Sequence, residues 1–185
     1  IKSSIRLNTM DKLYIFIIVF LSFNVSAYED ICTNTPQLGK AYYVSPQGKK
    51  YSGDGSRLNP WSSIEQGLVT IPDGNTLIVE AGVYTGRIKI SKTYEKGLLI
   101  KSEIPYRAKL TNDQRVLAIG ANAANIIIEG FEITHNTVSA KPLVVHIDGW
   151  GRNTVNNITL RNNIIHDSYN NDLLKINYGA EHITV

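Results

Sequence analysis

The densest run of side chains able to do chemistry is His166-Asp167-Ser168-Tyr169-Asn170-Asn171-Asp172-Leu173-Leu174-Lys175-Ile176-Asn177. Within residues 173–176, Leu174 and Ile176 share one strand face. With that face inward, Lys175 projects outward from the surface. Asp167, Asn171 and Asp172 bring oxygen donors to one connection, which is what a hard cation such as Ca²⁺ requires. A lysine beside such a cation suits proton abstraction next to a carboxylate. Lys175 would be the base, and the cation would stabilise the charge that develops. His166 is a candidate acid/base partner. A plainer reading fits the same residues: Asn and Asp are frequent in turns, one outward lysine is ordinary, and His166 fits a surface turn.

A second candidate is Asp148-Gly149-Trp150-Gly151-Arg152. An exposed Trp150 can stack on a sugar ring, and Arg152 can pair with a sugar carboxylate. Alternatively, Trp150 packs down on the body of the protein. Asp148 and Asp172 could form the paired carboxylates of a glycoside hydrolase, which stand about 5–9.5 Å apart. Other chemistries lack support. No nucleophile elbow, zinc motif or dinucleotide fingerprint is present. His135, His146 and His182 do not show metal-ligand spacing. Among 185 residues the formal net charge is only +3 and the basic residues are scattered, so nothing favours nucleic acid as a partner. The single cysteine, Cys32, forms no internal disulfide framework.

The elements that must position these groups are short strands. β-rich runs recur over residues 76–80, 86–90, 98–101, 116–119, 126–129, 131–134, 143–147, 158–161, 164–166, 173–176 and 183–185, divided by Gly, Asn, Asp and Pro clusters. No long helix follows any of them, which argues against a doubly wound α/β sheet. A repeat underlies them. Asn125-Ile126-Ile127-Ile128-Glu129-Gly130-Phe131 aligns with Asn157-Ile158-Thr159-Leu160-Arg161-Asn162-Asn163, and His182-Ile183-Thr184-Val185 starts a third copy. The copies begin 32 and then 25 residues apart, a spacing typical of solenoids. Two short strands per copy predict coils that stack Ile126, Ile128 and Ile133 on Ile158, Leu160 and Ile165. The open first coil needs a cover, since bare strand edges invite aggregation. Residues 61–69 carry apolar side chains at helical spacing, with Ser62 and Glu65 as a capping box. They are the expected cap, with Trp61 in the core beneath.

The N-terminal part reads as an export signal. From Met10 an apolar run of about ten residues is too short for a bilayer, which needs about 20. Val25-Ser26-Ala27 supplies small residues for cleavage. Residues 1–9 are expected to be upstream read-through or a fragment edge, 10–27 the signal peptide and 28–40 a leader. Residues 41–185 are expected to be the folded domain, continuing past Val185. The mature protein is expected to be secreted or periplasmic, free of membrane and monomeric.

Tyr42-Tyr43-Val44-Ser45-Pro46-Gln47-Gly48, Asn59-Pro60-Trp61-Ser62-Ser63-Ile64, Pro72-Asp73-Gly74-Asn75-Thr76-Leu77-Ile78-Val79 and Gly82-Val83-Tyr84 form an ordered series. It resembles the N-terminal cap and first coil of the pectate-lyase-like superfamily. The resemblance implies an all-β fold, a right-handed parallel β-helix with a short N-terminal capping helix. It also implies a polysaccharide substrate, with β-elimination on a uronate polymer as the leading activity. Lyases of this group pair Ca²⁺-binding acids with a basic residue, which Asp172 and Lys175 would match. Scaffolds of this kind also host hydrolases and non-catalytic binding proteins.

Overall fold

The computed structural model describes residues 38–141, 143–150, 153–169 and 172–185. The export signal, most of the leader, Cys32, Arg152 and Asn171 lie outside them. Among the described residues no helix is long and apolar enough to cross a membrane.

Three parallel sheets run through the described residues from Ala41 to Thr184. Sheet I holds β1 (Ala41–Lys49), β2 (Asn75–Val79), β5 (Thr93–Ser102), β8 (Ala124–Glu129), β11 (Val155–Arg161) and β14 (Ala180–Thr184), neighbouring in that order. Sheet II holds β3 (Gly82–Thr85), β6 (Ala108–Asn112), β9 (Glu132–His135) and β12 (Ile164–His166). Sheet III holds β4 (Ile88–Ile90), β7 (Leu117–Gly120), β10 (Val145–Asp148) and β13 (Leu174–Ile176). The chain visits sheets I, II and III in turn and returns to I one strand further along. Every pairing between these strands is parallel. The protein is therefore a parallel β-helix, with the right hand usual for parallel crossovers.

Each coil uses three strands, not the two expected from the repeat. The third strand is separated from the second by loops of unequal length, which hides its period. After β1, two strands have no counterpart among the expected runs: β3, with its alternating Val83 and Tyr84, and β6, whose Ala108-Lys109-Leu110-Thr111-Asn112 carries few large apolar residues.

The interior is built from columns of register-matched side chains. Leu98, Ile126, Ile158 and Ile183 stack in one column of sheet I, and Leu77, Ile100, Ile128 and Leu160 in the next. Sheet II adds Leu110, Ile133 and Ile165. Sheet III adds Ile90, Ile119, Ile147 and Ile176. Alternation within each strand turns these residues to one face, and most of them are fully buried.

The short helix α1 (Ile64–Thr70) covers the first coil. Ile64, Gly67 and Leu68 are its buried residues, and the Tyr94 hydroxyl donates to the Leu68 carbonyl at 3.1 Å. Its N-cap is Ser63, not Ser62: the Ser63 hydroxyl accepts from the Gln66 amide at 3.1 Å, and Gln66 Oε1 accepts from the Ser62 amide at 3.3 Å. The helix starts late because Trp61 is still extended, bridged to Val44 and Lys49. Its ring lies flat on Tyr42, 5.5 Å between centroids, in the core as expected.

Candidate functional site

The three outward faces differ in charge. On sheet I, Lys101 and Arg161 flank Glu129 in register, and Arg161 Nη2 reaches Glu129 Oε2 at 3.0 Å. On sheet II, Lys109 stands in register with Glu132 and pairs with it at 2.7 Å. On sheet III the outward column is Lys89, Ala118, His146 and Lys175. That column holds no carboxylate. Among the described residues neither Lys89 nor Lys175 forms an ion pair. Arg115, in the turn before β7, brings a third cation near this face. Its buried Nε has no hydrogen-bond partner.

His146 is the centre of this face. It is only 8% exposed. Asn177 Nδ2 donates to its Nε2 at 3.1 Å, and Asp148 Oδ2 lies 3.5 Å from the same nitrogen. Burial holds the ring below the ordinary histidine range. The positive charge of Arg115 adds to that shift, Asp148 opposes it, and Lys175 contributes to it more weakly. Protonation of this ring is therefore disfavoured beside Arg115 and Lys175.

Trp150 follows directly after β10 and is 76% exposed, so the packed-down alternative does not hold. Asp148 Oδ1 accepts from the Trp150 backbone amide at 2.8 Å. This turn holds the residue at φ 45, a left-handed conformation in which a local side-chain bond offsets part of the cost.

His166 and Asp167 sit elsewhere, on the outward side of sheet II. His166 Nδ1 lies 2.9 Å from Asp167 Oδ2, and its Nε2 lies 3.1 Å from Glu132 Oε1. Lys109, Glu132, His166 and Asp167 thus form a chain across three coils. The hydrogen bond from Lys109 holds the Glu132 carboxyl below its ordinary range; partial burial opposes this, and His166 helps.

The sequence candidates therefore divide into two groups. Lys175 and Trp150 belong with sheet III. His166 and Asp167 belong with sheet II. Of the expected calcium ligands, Asp167 gives one oxygen to His166, Asp172 is exposed just before β13, and Asn171 lies outside the described residues, as does Arg152. No group of three or more His, Cys, Asp or Glu able to hold a metal occurs among the described residues.

Lys89, Arg115, His146 and Asn177 were not legible as site residues. His146 and Lys175 become neighbours only once β10 and β13 are in register, and Arg115 only once β7 is placed beside them.

The class that fold and surface define is a capped parallel β-helix in which, among the described residues, an outward column of sheet III carries Lys89, His146 and Lys175 and no carboxylate. No known protein family matches the chain, and no curated protein matches it. Among solved structures, a mutant of the PL6 family alginate lyase AlyGC is similar, with 14% identity and a TM-score of 0.47. The match covers 86% of this chain and 22% of that chain. The strand registers carry the fold assignment without it.

Proposed function

We propose that the chain is part of a secreted carbohydrate-active protein that cleaves an acidic polysaccharide by β-elimination, with its site on the outward face of sheet III. The observation that carries this reading is the set Lys89, Arg115 and Lys175, none of them in an ion pair among the described residues, along an outward column of sheet III that passes through His146 and holds no carboxylate. Such a face is complementary to a polyanion, and Trp150 offers an exposed ring for a sugar.

In the proposed reaction the uronate carboxylate pairs with Arg115. Lys175, as its neutral amine, takes the proton on the carbon beside that carboxylate and becomes an ammonium. The electron pair forms a carbon–carbon double bond, the bond to the 4-linked oxygen breaks, and that oxygen takes a proton from water. Arg115 stabilises the negative charge that spreads onto the carboxylate during proton removal. Secretion rests on the segment from Met10 to Ala27.

The hydrolase alternative is less supported, because both Asp148 oxygens are already engaged, one by the Trp150 amide and one beside His146. Turnover of a panel of uronate polymers, followed by the ultraviolet absorbance of the unsaturated product, tests the proposal. Lys175→Ala should lower the rate by about 10²–10⁴-fold, the usual weight of a general base. Unimpaired elimination by that variant, or saturated products only, would overturn it. Repeating the assay with a chelator tests the expected calcium requirement separately.

A further inference from the structure

We infer that Lys89 is a distal carboxylate-binding residue, so that the ligand is a linear polymer at least four residues long, lying parallel to the solenoid axis. This rests on the reading of sheet III as the polyanion site.

Lys89, Ala118, His146 and Lys175 are direct register partners on four successive strands of one sheet. Adjacent strands are ~4.8 Å apart, which puts the two lysines ~14 Å apart along the axis. Each strand step is close to the length of one sugar unit in an extended chain. Four consecutive units therefore reach from one lysine to the other, with one unit above each coil.

The floor between the lysines is low. Ala118 presents only a methyl group. In the adjoining row Gly120 stands in register with Asp148 and presents no side chain at all. A polymer can lie close to β7 while its end units meet the flexible lysines. Asp148 is a carboxylate beside this track, 3.5 Å from His146. It is tied to the Trp150 amide and His146 at the edge of the face, outside the column that the polymer would follow. Nothing comparable runs along sheets I and II, where Glu129 and Glu132 interrupt the outward cations.

Binding measured by calorimetry with uronate oligomers of two to six residues tests the inference. Affinity should rise by about tenfold or more between two and four residues, the scale of one additional charge-assisted contact of about 1.4 kcal/mol. Lys89→Ala should abolish that rise and leave dimer binding unchanged. Ala118→Trp, which fills the floor without touching a charge, should weaken the longer oligomers in the same way. A Lys89→Ala variant that binds every length as the parent does, or loses affinity equally at every length, overturns the track while leaving the sheet III reading standing. Failure of the parent protein to bind any uronate oligomer overturns both.

Discussion

His146 is a buried histidine that makes folding sensitive to pH. Its folded pKa is lowered, chiefly by burial and then by Arg115, relative to an unfolded value of about 6.5. Above that unfolded value the ring is neutral in both states and costs nothing. As pH falls through it, the unfolded chain takes up a proton that the folded chain resists, and stability declines until the folded ring titrates too. The parent should therefore lose melting temperature between neutral pH and pH 5 more steeply than His146→Gln. Parallel pH profiles for the two proteins would count against this account of the site. Glu132 has the same sign in a lower window. Its pKa is lowered by the Lys109 hydrogen bond, so its contribution is present above the ordinary carboxylate range and fades as pH falls through its folded value. Glu132→Gln should affect stability at pH 7 and have little effect near pH 2.

At the scale of elements, one backbone requirement recurs in every coil. Gly39 and Gly74, just before β1 and β2, and Gly97, Asn125, Asn157 and His182, within β5, β8, β11 and β14, share one register position of sheet I, with φ between 52 and 85. Side chains other than Gly, Asn and Asp seldom tolerate this left-handed region. Asn157 Nδ2 also donates to Asn125 Oδ1 at 2.9 Å, and Asn125 Nδ2 to the Tyr94 carbonyl at 2.9 Å, so the turns are linked between coils. Asn157→Ala should destabilise by about 1–2 kcal/mol through the left-handed backbone alone, whereas Asn157→Gly should lose only the ladder bond. Equal losses in denaturant titrations would mean that the backbone conformation is not what the position requires. This column explains what could be read from the sequence. Asn125, Asn157 and His182 mark the same turn in three copies, and the apolar residues after each give the strands of sheet I. Sheet III lacks such a marker. Its strands begin after loops of different length, its outward residues are Lys, Ala, His and Lys, and nothing in that series announces a common face. Lys175 was recognisable as outward from Leu174 and Ile176 on either side. The other cations of this face, Arg115 and Lys89, come from 60 and 86 positions earlier in the chain, and only the register places them along one sheet. The capping helix begins at Ile64, three residues later than the apolar spacing of residues 61–69 implies, and its cap moves from Ser62 to Ser63, because both offer a hydroxyl and only the bridged Trp61 decides between them.

For the molecule as a whole, stability should behave as that of a one-dimensional stack. Each coil meets only the coil before and after it, so its burial depends on both neighbours. The middle coils satisfy this fully: Ile100 and Ile128 lie at the centre of their column, between Leu77 and Leu160, and both are buried. At the far end, Ile176 is 44% exposed, although it belongs to the same kind of column as the buried Ile147. Truncating a side chain removes its transfer energy and leaves a cavity whose cost depends on how many walls surround it. Ile128→Ala should therefore cost about 2–5 kcal/mol, the range for fully enclosed sites. Ile176→Ala should cost much less, because solvent already reaches that position. The two variants should also differ in cooperativity. Loss at Ile128 interrupts the stack and should let the coils on either side separate into two transitions, since a weakened interface uncouples neighbours in such a chain. Loss at Ile176 should lower the stability of the last coil and leave the main transition as sharp as before. Hydrogen exchange across β8 and β13 resolves the cases. Uniform loss of protection in both variants would mean that the protein unfolds as one block, and the coil-by-coil description would fail.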